Sequence, residues 1–496
     1  MSQPVQELLS LRQAAENEVG PTHEGDIAVE WRGLMPVPPD KRYGGPFRMA
    51  TLWFTSQLSP IPLYIGVIGA ASFIGLSFVP NLLAIVLGNI LGCAAIGAIS
   101  LMGPPSGAAQ MVLARLPFGK SITLVGLVAY VESLIFVALG AIFGAQALQV
   151  IINMPFAVAL ILVFGLEATI SVTGYELLHR YERWMAVAVG IGFLLLTIVV
   201  VSKAGSIHIS QTMHGADAVG SFILMTAIAF GFAFGWAINA TDYCRYLPVN
   251  TSPRALFGWV FAGLFIGCVW LEVLGLAAAS LLPNLAPMNS IYQLLGGGFL
   301  GTIVLITIYL GVVAQLCIED YSAGLQVLAA GIRVPRPIMT AITACICFGL
   351  TYWLATGNLA ANAENAVLLS TYWVGPFVGI IAVDWWRRES HSVMGVLNYR
   401  QLPSGLNALV AVVVAFAVSL PFSNTTVGYD LAQHGGFLAV LFGGASTNWL
   451  HGGDLAYPVG LVVGAALYAL LERASGHNLS RAKRMRPSVE ERATLA

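Results

Sequence analysis

The feature that most constrains this chain is a succession of apolar runs, each roughly 20 residues long, separated by short polar connections. A run of that length crosses a hydrocarbon core of roughly 30 Å as a helix. Peptide N–H and C=O groups find no partner in lipid, so each run must satisfy them internally, and a helix does so within one segment. Spans are expected near 50–72, 77–100, 122–151, 156–174, 184–202, 219–246, 255–282, 298–329, 336–355, 363–386, 404–421 and 456–472. The stretch 423–455 is apolar from Phe437 to Phe442 but short and Gly-rich, which suits a re-entrant or an outer-surface segment. The expected fold class is all-α and integral to the membrane, with about 12 transmembrane helices.

Composition supports lipid as the solvent. Of the 496 residues, 57% are hydrophobic and only 9% charged, against roughly 25% charged in soluble domains. Mean hydropathy is +0.80. The net charge of −1 gives no footprint for nucleic acid, so none is expected as a partner. The first 47 residues are polar, and no cleavable leader is expected there. The six cysteines, Cys93, Cys244, Cys268, Cys317, Cys345 and Cys347, lie within or beside apolar runs without a CxxC pair. They read as small buried side chains rather than metal ligands or disulfides. With no metal-ligand cluster, HExxH motif or nucleophile elbow, an enzyme is not expected, nor a cofactor or bound metal.

The basic residues orient the spans. With both termini in the cytoplasm, every one of the 23 Lys and Arg residues except Lys203 falls on an inner segment. The positive-inside rule then gives an even number of spans in the plasma (inner) membrane, with both ends cytoplasmic. The basic tail at 481–486 can also touch anionic lipid.

Two spans carry interruptions at similar depth. Span 1 contains Ser59-Pro60-Ile61-Pro62, and two prolines in three residues remove backbone donors and clash with the preceding turn. Span 6 contains the permissive stretch Gly231 to Gly235. Paired breaks in corresponding spans of two halves point to a transporter's midplane site, where unwound backbone meets substrate and ion. A secondary transporter is the expected function.

Carboxylates at membrane depth cost about 2.5–3.5 kcal/mol each on insertion scales, so those present are informative. They are Glu132, Glu167, Glu272 and the pair Glu319-Asp320. Each is either a hydrogen-bonded structural group or part of a pathway. Gln315 and Glu319 share one helical face and offer acceptors and donors suited to the edge of a heterocycle. Glu132, Phe136 and Gly140 share a face of span 3, where Phe136 can stack on a flat ligand beside the space left by Gly140. Ordinary helix packing accounts equally for that pattern. No histidine lies deep in a span, so carboxylates are the available proton relay.

At the end of span 6, Trp236, Asp242, Tyr243, Arg245, Tyr246 and Pro248 stand at the spacing of a signature of the nucleobase:cation symporter family, of the purine-cytosine permease type. The loop before span 3, with Gly107, Gln110, Arg115, Phe118 and Gly119, is similar to a second motif of that family. Trp53 to Gln57, with Gly66 and Gly69, resembles its span 1, and Tyr372, Pro376 and Asp384 resemble its span 10. The matches run in order over residues 51–386. The resemblance implies a LeuT-like fold: a 5+5 inverted repeat, residues 48–202 and 219–386 joined by an outer loop 203–218. It adds two C-terminal helices with an outer segment within 404–472, a cytoplasmic loop 387–403, and cytoplasmic segments 1–47 and 473–496.

It also implies cation-coupled import of a nucleobase, purine or cytosine-like, by alternating access. Phe136 and Trp236 would then sandwich the ring, and Gln57 or Ser59, Gly140, Gln315 and Glu319 would supply the remaining contacts. Phe136 stands where the family has Trp, and Glu319 where it often has Asn, so the exact heterocycle is open. A carboxylate there favours a donor-rich ring. Sodium-coupled members use span 8 hydroxyls, matched here by Val313 and Ala314, which carry none. Protons are therefore the expected coupling cation, with Glu319 or Glu132 titrating. Asp242, Arg245 and Arg115 fall at the inner mouth as gate or structural groups. The competing readings are a carrier of the same fold for a vitamin such as thiamine or pyridoxine, or for hydantoin or allantoin, and a transport-inactive sensor.

Overall fold

The structure is a computed structural model describing residues 34–173, 175–283, 285–332, 334, 336–357, 359–388 and 391–475. Most of the cytoplasmic segment 1–47 and the basic tail at 481–486 lie outside the described residues. Among the described residues all regular structure is helical. The first expected span is two helices, α1, Phe47–Ser56 and Pro60–Gly69. Then come α2 (Phe78–Ser100), α3 (Ile122–Ile152), α4 (Phe156–Thr173) and α5 (Tyr175–Ser202). α6 is Gly215–Gly235, continued by a 3-10 turn Trp236–Asn239 and a last turn Ala240–Cys244. α7 (Pro253–Leu281), α8 (Gly298–Ala329) and α9 (Arg336–Leu354) follow. α10 is split into Leu359–Thr371 and Val374–Arg387, and α11 (Leu406–Ser419) and α12 (Ala456–Ala474) complete the bundle.

Eight of these stretches are long and apolar enough to cross a membrane by themselves. Four shorter apolar helices, Pro60–Gly69, Phe156–Ser171, Ile338–Leu354 and Leu406–Phe422, fall on the other expected spans. On α5, Trp184, Val187, Ile191, Leu194, Ile198 and Val201 are exposed at steps of three and four, a stripe facing away from the protein. In water that stripe would be a penalty; in lipid it is the natural outer surface.

Three details differ from the sequence reading. In α1 the helix stops before the prolines rather than at them. Ser59, preceding Pro60, is extended at φ −144° and ψ 165°, as steric contact with the proline ring requires. Pro60 then opens the second half at its first position, and Pro62 lies in the same first turn, where N–H groups have no helical acceptor anyway. In α6 the glycines do not unwind the chain: Gly231 and Gly235 are helical, and the helix tightens one step later, at Trp236–Asn239. In α10 the expected single helix is broken at Tyr372–Trp373. Pro376 has no N–H to return to the carbonyl of Tyr372, four residues back.

The stretch 423–455 holds three short helices, Thr426–Ala432, Gly436–Leu441 and Gly444–Trp449. It docks on the bundle through Asn365 of α10, whose Oδ1 accepts the N–H of Val427 at 3.1 Å. It docks also through Asp454, whose carboxylate accepts the N–H groups of Asn424 and Ala456, both at 2.9 Å. This is a surface segment packed on helix ends.

Close approach of α1 to α7 depends on missing side chains. A Cβ at Gly66 would stand 1.7 Å from the carbonyl oxygen of Glu272, and one at Gly275 1.8 Å from that of Leu63. Small residues let helix backbones touch, which is the main source of attraction between helices in lipid. Gly66→Ala should therefore destabilise the purified protein by about 1–3 kcal/mol or prevent folding. Thermal unfolding monitored by size-exclusion chromatography would read this, and an unshifted transition would contradict the packing described.

Candidate functional site

α1, α5, α6 and α8 enclose a cavity of about 150 Å³, where on the order of 10–15 Å³ admits a single water. The break in α1 supplies Ser59, the tightened turn of α6 supplies Trp236, and α8 supplies Gln315 and Glu319. At one end Asp242, Arg245 and Tyr246 line the opening. The α1 break exposes fewer donors than a bare unwound segment would. The N–H groups of Gln57, Leu58 and Ser59 donate to Phe54, Thr55 and Gln57 carbonyls at 3.2, 3.0 and 2.7 Å.

Glu319 and Gln315 are one turn apart on an unbroken helix, so their heads share a face. Glu319 is 6% exposed, and no hydrogen bond to its carboxylate is found among the described residues. Gln315 Oε1 is also buried without a partner. Buried polar groups are normally satisfied, so the unpartnered Gln315 Oε1, beside the Glu319 carboxylate at the edge of the same cavity, leaves room for a donor. The adjacent Asp320 faces α9 instead, accepting the Thr340 hydroxyl at 2.6 Å. Ala314 borders the cavity and Val313 is fully buried, and neither side chain offers an oxygen.

Trp236 meets Trp53 edge-on at a centroid distance of 5.7 Å, and Trp53 meets Tyr243 edge-on at 5.5 Å. Of this cluster Trp236 and Tyr243 border the cavity, which Tyr246 and, from α8, Tyr321 also line. Of the other expected site residues, Phe136, Gly140, Glu132 and Gln57 do not border it. Phe136 leans on Phe232 at 6.4 Å and lies beside Gly235. The space at Gly140 is occupied by Leu316 and Ile61. Glu132 accepts the indole N–H of Trp373 at 2.8 Å, and its Oε1 is buried without a partner on the Gly235 side. Gln57 turns toward α7, where its Oε1 accepts the Cys268 thiol at 3.4 Å. The candidates divide into a cavity group (Ser59, Trp236, Gln315, Glu319) and a group behind α6 (Glu132, Phe136).

The motif residues Asp242, Arg245 and Arg115 brace helix ends. Asp242 Oδ1 accepts the N–H of Gln110 at 2.7 Å, holding the first turn of the connecting helix Gln110–Phe118. Arg245 donates to the Tyr246 hydroxyl at 3.2 Å and lies over that ring. Arg115 is 1% exposed and donates to four carbonyls: Leu328 and Ala329 at the end of α8, and Val396 and Leu397 before α11. Its guanidinium fork fits carbonyls left unpaired at a helix end. Glu167 is held by Ser171 at 2.9 Å, and Glu272 by Asn89 at 2.7 Å.

Some partners had no sequence signal. Gln326 of α8 links Ser133 of α3 (3.1 Å) to Asn239 in the α6 turn (3.4 Å). Tyr457 of α12 bonds Thr371 at 2.5 Å and fills the notch at Gly231. Trp373 reaches Glu132 across 241 positions of sequence. No spacing rule connects groups so far apart.

The profile of the family described as permease for cytosine/purines, uracil, thiamine, allantoin matches residues 36–452. The chain belongs to this permease family. Among relatives, it is 27% identical over 410 residues to the purine-cytosine permease fcyB of Emericella nidulans, covering 78% of this chain and 80% of that one. It is 25% identical over 443 residues to the purine-cytosine permease FCY2 of Saccharomyces cerevisiae, covering 83% and 82%. The permease also shares the LeuT-like fold of Mhp1, a nucleobase-cation-symport-1 family transporter seen closed around bromovinylhydantoin, with a TM-score of 0.69 at 16% identity over 93% of this chain and 98% of that chain. The permease is a multi-pass membrane transporter and not an enzyme.

Arg115 in the permease should tolerate little change. Arg115→Lys keeps the charge but supplies a point donor in place of a fork, leaving buried carbonyls unpaired at about 1–3 kcal/mol each. A lowered thermal transition in both Arg115→Lys and Arg115→Ala is expected. Full stability of the lysine variant would show that charge alone suffices.

Proposed function

We propose that this permease imports a flat, donor-rich nitrogen heterocycle of the nucleobase class, purine or cytosine-like, with protons as the driving ion and by alternating access. The observation carrying the reading is the unpartnered Gln315 Oε1 next to the Glu319 carboxylate, both lining the cavity with the Trp236 ring. A ring amine or N–H donates to those oxygens while the ring face lies on the indole; such aromatic contact is worth about 0.5–1.5 kcal/mol. The names of the relatives, purine-cytosine permeases, agree with that chemistry.

Glu319 is also the proton acceptor best placed for coupling, because it opens to the cavity. The matching α8 positions, Val313 and Ala314, carry no side-chain oxygen for a hard cation, which prefers oxygen ligands. A proton on Glu319 removes a buried charge before the helices move, and its release at the other face resets the site. Phe136, across Gly235, closes on the ring's second face when the cavity contracts, with Glu132 behind it as the second acidic group. In this reading the breaks in α1 and α6 belong to two inverted halves, 48–202 and 219–386, in the plasma membrane, with cytoplasmic ends.

Two experiments test it. In proteoliposomes, uptake of labelled cytosine, adenine or hypoxanthine should follow an inward proton gradient and ignore a sodium gradient. Sodium dependence without pH dependence removes the proton, and uptake of thiamine or allantoin alone removes the nucleobase. Glu319→Gln should abolish accumulation against a gradient while retaining exchange, and Trp236→Ala should weaken apparent affinity by about tenfold at preserved expression. Unaltered kinetics in both variants would dismiss the site.

A further inference from the structure

A second acidic group lies between α2 and α7, away from the cavity. Glu272 and Asn89 are both 0% exposed. Asn89 Nδ2 donates to Glu272 Oε2 at 2.7 Å and to the carbonyl of Ile85 at 3.0 Å. The second bond fixes which amide atom is nitrogen, since a carbonyl accepts only from a donor. That leaves two oxygens, Glu272 Oε1 and Asn89 Oδ1, each buried without a donor. They are the remaining atoms of the same two planar groups already joined by one hydrogen bond.

One proton resolves both. A carboxylic acid and a primary amide form a cyclic pair in which N–H donates to one carboxyl oxygen and the other oxygen, bearing hydrogen, donates to the amide carbonyl. An ionised carboxylate in this place would be a buried charge facing only a neutral amide, with its second oxygen bare. The groups one helical turn away offer no charge to offset it: Cys93 on α2, Cys268 on α7 and, from α1, Gln57 against Cys268. The backbone of Gly66 in α1 lies directly on the carbonyl of Glu272.

We propose that Glu272 is a proton-binding site: it carries its proton at neutral pH as the acid half of a cyclic acid–amide pair with Asn89. The ligand is a single proton, held throughout the cycle and distinct from the one assigned to Glu319. Its role is to fasten α2 to α7 at the level where Gly66 of α1 meets the backbone of α7. The pairing of Glu272 with Asn89 is independent of what the cavity carries.

The test is infrared spectroscopy of the full protein in lipid, comparing the wild type with Glu272→Gln at neutral pH. The substitution should remove a carbonyl stretch of a protonated carboxylic acid and leave the carboxylate bands intact. Gln preserves both hydrogen bonds of the ring as an amide–amide pair. Uptake by Glu272→Gln, whatever the transported solute, should therefore stay within about twofold of wild type. Loss of carboxylate bands instead would overturn the proposal, and would indicate an ionised Glu272 satisfied by a bound water. A folded Glu272→Gln protein with uptake reduced by about tenfold or more would also overturn it, because the proton would then have to leave. If that variant does not fold, Asn89→Ala reads the same group: the acid band should persist at a shifted frequency, and its absence refutes the assignment.

Discussion

The whole architecture answers one constraint: a peptide group inside lipid must find its hydrogen-bond partner within the protein. Long helices meet that demand alone, which is why the chain is a bundle. Where a helix stops inside the bundle, at Gln57–Ser59 in α1 or at Tyr372–Trp373 in α10, the freed groups need local substitutes. In α1 these are tight turns that consume the N–H groups at the break, so the polar groups facing the cavity are largely side chains, among them Gln315 and Glu319 of the neighbouring α8. On its α8 side the cavity meets Gln315 and Glu319, which one continuous helix holds a turn apart.

The same constraint explains the glycines. Attraction between helices in lipid comes from contact, and contact is closest where side chains are absent. Gly66 and Gly275 let α1 and α7 meet backbone to backbone. Gly231 accepts the Tyr457 ring, and Gly235 leaves room for Glu132 and Phe136. Glycines that resemble weak points in a linear reading of α6 are sockets in the folded molecule.

Much of the fold was legible because hydropathy reports solvent directly. The helices fall close to the runs anticipated for them, and the α1 break followed from two prolines. The α6 distortion was displaced by one turn, because Gly231 to Gly235 is permissive of unwinding without demanding it. The α10 break was missed, although Pro376 marks it. At the site, the polar pair on α8 was readable from a four-residue spacing in one helix. Which faces of α1 and α3 meet the cavity was not, since that depends on helix rotation: Gln57 turns to Cys268 and Gly140 is filled by Leu316. Arg115 and Asp242 stood out as motif residues, but their task as braces for helix ends required three-dimensional neighbours far along the chain, the carbonyls of Leu328 and Ala329 for Arg115 and the N–H of Gln110 for Asp242.

Tyr457 carries a consequence for how the C-terminal helices are regarded. Its hydroxyl bonds Thr371 of α10 while its ring sits in the Gly231 notch, one turn before the indole that walls the cavity. A residue of α12 is thus wedged between α10 and α6, the latter being one of the helices that line the cavity. Helices of this kind are easily taken for appendages; here the last one serves as a keystone, and trimming it would loosen the arch from within.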